Sequence, residues 1–453
     1  MKRVKLFVFL LFVLNVLATN EILADALKGT WQGTLTTPTG KLQIILNLSD
    51  KTGTMDVPEQ SIKGLPLDAL SMSDNILAFE VKQLGIIYKG ALDSGELKGT
   101  FQQGPVFKAD LNFLRQSEKQ SQEIAKKQSR PQTPSGPFPY VVEEVSIDNG
   151  DITLSGTITK PAKTGKYPAA IMITGSGPQD RDETILGHKP FAVIADYLTK
   201  RGMLVLRFDD RGIGKSTGQF KGATIQDFAT DVQAAFDHLA RRSDVITGKI
   251  GLIGHSEGGV VAPLVGAKNK QVAFIVSLAG IGTSPKELYA TQQRDILLLN
   301  GAQNGDLIYD TFMIAIDHVV TGKEPAMVSQ LLQKQLSYPV ETAEFVSRFM
   351  SDPWFISLMN YDNNSVISQL AMPVLAINGE KDIQVEPKAN LEGFKRNLIK
   401  AGNKDYTIIE VPGLNHLFQP SETGNPLEYG NIPITFDEAT LKTVGDWITK
   451  RVL

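Results

Sequence analysis

Ile250-Gly251-Leu252-Ile253-Gly254-His255-Ser256-Glu257-Gly258-Gly259-Val260 passes from an apolar stretch, through a pentapeptide with glycine at both ends, into small residues that continue to Ala267. The first part has the length and composition of a buried strand, and Val260–Ala267 that of a closely packed helix. Gly-x-Ser-x-Gly between a strand and a helix holds its serine on a sharp, strained turn, with the hydroxyl clear of the sheet. The chain doubles back there, so the flanking residues must be small. Gly254 and Gly258 meet that need, and Gly259 extends it. Ser256 is therefore the candidate nucleophile; the bland alternative is a tight structural turn.

Outward from this turn, continuous apolar runs recur at Ala169–Thr174, Leu204–Phe208, Phe274–Leu278, Val374–Ile377 and Tyr406–Val411. Continuous rather than alternating runs suit parallel strands covered on both faces. Helical patterns separate them, as in Ile225–Arg241, where Phe228, Val232, Ala235, Phe236 and Leu239 recur at helical spacing. Alternating strands and helices predict a doubly wound, mostly parallel α/β sheet over residues 140–453. Val141–Ile147 and Ile152–Ile158, around Asn149-Gly150, read as an antiparallel hairpin leading into it. Residues 283–370 show only helical pattern and read as a helical cap inserted between two strands.

The N-terminal part differs. Residues 25–114 carry short apolar runs, such as Leu42–Leu46, separated by turn signals at Thr39-Gly40, Lys51-Thr52-Gly53 and Asp93-Ser94-Gly95. That spacing predicts a small all-β domain, a barrel or a sandwich. Gly29-Thr30-Trp31 resembles the opening of lipocalin-like barrels. The domain reads as a packing or spacer module, or alternatively as a binder of a ligand or surface. Residues 115–139 are rich in Gln, Ser, Lys and Pro and read as a linker, with a short helix possible at its start.

At the N-terminus, Lys2, Arg3 and Lys5 precede an apolar run from Leu6 to Leu17, followed by Ala18, Ala24 and Ala26. That order predicts a signal peptide over residues 1–24, cleaved after Ala24, with Ala18 or Ala26 as alternative sites. The run is short for a membrane span, although an uncleaved anchor is the competing reading. Export to the periplasm or medium follows as an expectation. No later apolar run is long enough to span a bilayer. The chain of 453 residues has no cysteine, which excludes thiolate chemistry, disulfides and cysteine-based metal sites. A formal net charge of −3 offers no basic patch for nucleic acid.

A nucleophilic serine needs a base and a group that orients it. On this type of sheet they follow in the order serine, acid, histidine, at strand ends. The chain has five histidines. His416 follows the Tyr406–Val411 strand in the expected loop and is the candidate base. His255, inside the turn, is expected to point away from Ser256. His238 and His318 read as structural. His188 lies near the expected site rim and is a candidate for substrate contact. Asp382, after the Val374–Ile377 strand, is the candidate orienter, with Glu380 and Glu386 as fallbacks. Backbone donors must hold the developing oxyanion, each contributing roughly 3 kcal/mol. The Glu257 amide is one candidate. The other lies in Gly175-Ser176-Gly177-Pro178, where glycines allow close backbone approach. Ser176 N–H is preferred and Gly177 is the alternative.

Other motifs fail. Gly212-Ile213-Gly214-Lys215-Ser216 has Asp209 where a phosphate loop needs its first glycine. Gly175-Ser176-Gly177 has Asp180 where a dinucleotide fingerprint needs its third. No His-Glu-x-x-His occurs. Asp180-Arg181-Asp182-Glu183 reads as ion pairs that hold the active-site loop rather than a cation site. No metal or cofactor is expected.

Gly175–Glu183, His188-Lys189-Pro190-Phe191, Asp209–Ser216, Gly254–Gly259, Gly379-Glu380-Lys381-Asp382 and Leu414–Phe418 together resemble bacterial serine carboxylesterases of the α/β-hydrolase superfamily. Some of these carry an extra N-terminal β domain. The resemblance spans residue 140 to the C-terminus. It implies an α/β-hydrolase fold and hydrolysis of short-chain acyl esters of small molecules through an acyl-enzyme, without cofactor. The family often begins its oxyanion loop with His-Gly, whereas this chain has Thr174-Gly175. The family also tends to carry Pro-Trp-Phe in the cap. Its counterpart here is Pro353-Trp354-Phe355, which makes Trp354 and Phe355, with Met359, candidates to line the acyl pocket. A serine peptidase, acyltransferase or thioesterase can use the same residues. A non-catalytic lipid- or glycan-binding protein is the remaining alternative.

Overall fold

A computed structural model describes residues 27–37, 40–49, 52–57, 62–73, 75–103, 107–117, 130–299 and 301–453. The expected signal peptide and residues 118–129 of the expected linker lie outside these. Two compact units are present, one within Met1–Ser129 with Ile185–Gly187, the other Arg130–Thr184 with His188–Leu453.

The first unit is a single antiparallel sheet of nine strands: β1 (Gly29–Thr37), β2 (Gly40–Leu48), β3 (Gly53–Val57), β4 (Ile62–Pro66), β5 (Ala69–Ser73), β6 (Ile76–Val81), β7 (Ile86–Asp93), β8 (Glu96–Gln103) and β9 (Phe107–Arg115). Their order is β4-β3-β2-β1-β9-β8-β7-β6-β5. Consecutive strands pair except β4 and β5, and β9 returns to β1, so the sheet curls as an up-and-down half-barrel with β4 and β5 at its two ends. It is not a two-layer sandwich. Alternate residues of β7 are buried, as expected of a strand with one face on a core. That core holds Trp31, Phe79, Tyr88 and Phe113. Trp31 of the Gly-x-Trp opening donates its buried indole N–H to Leu27 O at 2.8 Å.

The second unit has the α/β-hydrolase architecture. Its strands are β10 (Tyr140–Asn149), β11 (Ile152–Pro161), β12 (Tyr167–Ile173), β13 (Leu204–Phe208), β14 (Val245–His255), β15 (Val272–Leu278), β16 (Val374–Gly379) and β17 (Tyr406–Val411). They form one sheet in the order β10-β11-β13-β12-β14-β15-β16-β17. β10, β11 and β13 pair antiparallel, and every pairing from β13 to β17 is parallel. The hairpin loop is one residue later than the sequence suggests. Asn149 pairs with Ile152, which leaves Gly150-Asp151 as the loop. Gly150 has φ +60°, the conformation a two-residue hairpin loop wants at its first position.

Helices α1 (Pro190–Lys200), α2 (Ile225–Ala240), α3 (Gly258–Lys268), α10 (Pro387–Lys400) and α11 (Glu438–Val452) cover the sheet. Ala169, Ile171 and Ile173 of β12 face a core shared with α2, α3 and α10. Ala170 and Met172 face a second core shared with α1 and α11. Both faces of each central strand are thus buried, which is why the strands are apolar without alternation. Among the described residues between β15 and β16 lie six helices and no strand: α4 (Pro285–Leu299), α5 (Gly305–Val320), α6 (Pro325–Leu336), α7 (Val340–Met350), α8 (Pro353–Met359) and α9 (Asn363–Ile367). They bury Phe312, Leu332, Met350 and Phe355 in a core of their own, to which Ile225, Val260 and Val385 of the main body contribute. No helix among the described residues is long and apolar enough to cross a membrane.

Candidate active site

Ser256 occupies the turn between β14 and α3 with φ +54°, a left-handed conformation that a non-glycine residue adopts only under constraint. Its amide donates to Leu278 O at 2.9 Å, which ties the turn to the end of β15. The flanking glycines are required by space. A Cβ on Gly254 would lie 2.0 Å from Gly258 O, and one on Gly258 would lie 2.2 Å from Ile173 O.

Asp382 and His416 come from the loops after β16 and β17. Asp382 Oδ2 accepts from His416 Nδ1 at 2.7 Å. Both residues are buried. Asp382 Oδ1 accepts from the amides of Gln384 and Val385 at 2.8 and 2.9 Å, so the carboxylate is held at both oxygens. The two loops are laced together. Lys381 N donates to Leu414 O at 2.9 Å and Gly413 N to Glu380 Oε2 at 2.9 Å. Buried Asn415 folds the histidine loop by accepting from the amides of Leu417 and Gln419. The fallback carboxylates are engaged elsewhere: Glu380 with Gly413, and Glu386 as cap of α10, accepting from Lys388 and Ala389 N–H.

The Gly175 loop lies beside the serine, since a Cβ on Gly175 would stand 3.3 Å from Ser256 Cβ. The Gly175 amide itself donates to Glu183 Oε1 at 2.7 Å. The loop's next donors are therefore the Ser176 and Gly177 amides, and Ser176 is exposed. Asp210 anchors the loop on its other side. Its oxygens accept from Thr174 Oγ1 at 2.8 Å and Gln179 N at 2.9 Å. Burial pushes the Asp210 carboxyl up to about 8, and the Glu257 and Glu183 carboxylates push in the same direction. The sequence assigns Asp210 no role. Its only signal there was its place in the Asp209–Ser216 motif.

The acidic cluster resolves into pairs. Arg181 bridges Asp209 and Glu144, Asp182 meets Arg207 and Lys189, and Glu183 turns inward to His255. Among the described residues no group of three or more His, Asp and Glu is arranged to hold a metal ion.

The pocket residues expected from the sequence fall differently. His188 is not at the rim. It is fully buried, with Nδ1 2.9 Å from Thr435 Oγ1 and Nε2 3.1 Å from Tyr429 O. Both nitrogens are taken by the fold, and burial pushes the imidazole down to about 4. Phe355 and Met359 sit in the cap core, Phe355 against the rings of Tyr289, Phe349 and Trp354. Trp354 reaches the site region: its Nε1 is 2.9 Å from each Glu257 carboxylate oxygen. Beside Glu257 is a cavity of about 20 Å³, also lined by Thr174, Gly175, Asp210 and Phe228. That is room for a water rather than an acyl chain.

Residues 189–422, just over half of the chain, match the family model described as serine aminopeptidase, S33. Esterase EstD of Thermotoga maritima is 28% identical over 320 residues, covering 69% of this chain and 70% of that protein. Among solved structures, an α/β hydrolase, GrgF, from Penicillium sp. is 18% identical with a TM-score of 0.45, covering 69% of this chain and 99% of that one. A Pyrococcus furiosus esterase is 18% identical with a TM-score of 0.44, covering 72% and 98%.

Proposed function

We propose that this chain, which belongs to the serine aminopeptidase, S33, family, is an exported carboxylesterase that cleaves short-chain acyl esters with Ser256 as nucleophile, His416 as base and Asp382 as orienter. The observation that carries the proposal is the buried 2.7 Å contact between His416 Nδ1 and Asp382 Oδ2. With Nδ1 so engaged, Nε2 is the nitrogen that exchanges protons with the serine. Asp382 fixes the tautomer and stabilises the imidazolium formed during turnover. Ser256 attacks the ester carbonyl as His416 takes its proton, and the alkoxide is held by the Glu257 and Ser176 amides. Protonated His416 then gives its proton to the departing alcohol. Water activated by the same nitrogen releases the acid and restores the serine. The 28% identity to a protein described as an esterase favours the ester over the amide.

Ser256→Ala tests this. It should lower kcat on p-nitrophenyl esters of short acids by on the order of 10⁶ and abolish labelling by a fluorophosphonate. Turnover within tenfold of the wild type would refute it. The family description also names an aminopeptidase. Aminoacyl anilides assayed beside the esters separate that reading, because an esterase should turn over the esters alone.

A further inference from the structure

His255 has no part in the chemistry just described, yet it lies at the centre of the site. Its Nδ1 is 2.9 Å from Glu183 Oε1 and its Nε2 is 3.0 Å from the main-chain oxygen of His416. The same Glu183 oxygen accepts the Gly175 amide at 2.7 Å. One continuous chain of hydrogen bonds thus runs from the Gly175 loop, through Glu183 and His255, to the backbone of the residue proposed as base. The rings of His255 and His416 are 4.8 Å apart, centroid to centroid.

The partners constrain the protons. A carbonyl oxygen only accepts, so Nε2 carries a hydrogen. Nδ1 faces a carboxylate oxygen, and a neutral imidazole has a single N–H to give. Satisfying both contacts therefore requires one further proton between Nδ1 and Glu183, and imidazole is the stronger base of the two. Burial pushes the imidazole down, but the charge and hydrogen bond of Glu183, the hydrogen bond to His416 O and the charge of Asp382 together hold His255 above its ordinary value. The groups facing the ring are Glu183, His416 and Asp382. Glu183 is 1% exposed, and its other oxygen, Oε2, has no hydrogen-bond partner among the described residues. A carboxylate so placed needs a countercharge. Its backbone is also held in the left-handed region at φ +52°, and its amide donates to Asp180 O at 2.9 Å. Strain of that kind persists where the surroundings over-determine it.

We propose that His255 and Glu183 form a buried imidazolium–carboxylate pair that acts as a positioning element, locking the loop that supplies the oxyanion donors to the loop that carries His416. The proposal rests on the catalytic reading above. The pair touches neither substrate nor reacting atoms. It fixes the distance between the donors that hold the alkoxide and the ring that moves the proton.

The test has two independent readouts. In uniformly ¹⁵N-histidine-labelled wild-type protein, the five imidazoles are read by NMR near pH 8, well above the ordinary histidine value of about 6.5. One ring should remain doubly protonated, and its signals should vanish in His255→Gln. Five neutral rings would overturn the charged pair, without reference to activity. Separately, Glu183→Gln and His255→Gln should each lower kcat by about 100-fold, as misplacement of catalytic groups does, with KM changed less than threefold. The double variant should be no worse than either single one, because the two residues act as one unit. A folded Glu183→Gln protein, with a melting temperature near wild type, that keeps kcat within threefold would overturn the positioning role. If Ser256→Ala retains turnover, the catalytic reading fails, while the ring-protonation result stands on its own.

Discussion

Trp354 Nε1 donates to both carboxylate oxygens of Glu257 at 2.9 Å, so a helix of the cap is hydrogen-bonded to the residue directly after the turn serine. Burial pushes the Glu257 carboxyl up to about 7, and the indole donor pulls against that by favouring the charged form. In the unfolded chain the same carboxyl titrates near its ordinary 4.5. Between those values the native state holds a proton that the unfolded state has lost. Its contribution to stability therefore falls as pH rises from about 4.5 to 7 and is level above that, a change on the order of 3 kcal/mol. Glu257→Gln should remove this slope while leaving the backbone amide in place. Urea unfolding of both proteins at about pH 5 and about pH 7.5 measures it, and identical pH dependence in the two would contradict the assignment.

His188 predicts the opposite slope. Its imidazole is held at about 4, against an ordinary 6.5, so the unfolded chain binds a proton that the native state refuses. That contribution is fully present above about pH 6.5 and is lost as pH falls toward 4. His188→Asn should flatten this limb and lower the melting temperature by several degrees. Ester KM should stay within twofold of wild type, because both ring nitrogens bond to the fold. A large rise in KM would return His188 to the substrate pocket.

Two nearby carboxylates separate orientation from capping. Asp382→Asn keeps the size of the side chain but offers His416 Nδ1 the wrong hydrogen-bond partner, and kcat should fall by about 10⁴. Glu386→Gln disturbs only the start of α10, where Glu386 accepts from Lys388 and Ala389 N–H. It should destabilise by about 1 kcal/mol and leave kcat unchanged. Steady-state kinetics of the pair decides between Asp382 and its fallback.

Gly258→Ala should fail to yield native protein. The added carbon would meet Ile173 O at 2.2 Å and Thr174 O at 2.7 Å, backbone atoms of the last residue of β12 and the one after it. Relief requires moving β12 or α3, against a core packed like a crystal. A variant that melts within about 2 °C of wild type would show that the turn has more room than this geometry allows.

The turn at Ser256 was legible because its determinants are local: an apolar strand, two glycines that admit no Cβ, and a small-residue helix, all within about twenty residues. The sheet strands were legible because burial of both faces writes a continuous apolar run, and the cap because its helices interrupt that rhythm. Asp382 and His416 could be picked by chain order at strand ends. Polar partnerships across the fold were not legible. Glu183 and His255 are 72 residues apart, Glu257 and Trp354 are 97, and His188 and Thr435 are 247. An apolar pattern records which face of an element is buried, and nothing in it records which buried carboxylate will meet which buried donor. For the same reason His188 read as a rim residue and proved to be an interior one. In the β unit, short apolar runs between turn signals marked the strands. The return of β9 to β1, which makes a half-barrel of them, arises from backbone hydrogen bonds that carry no side-chain signature.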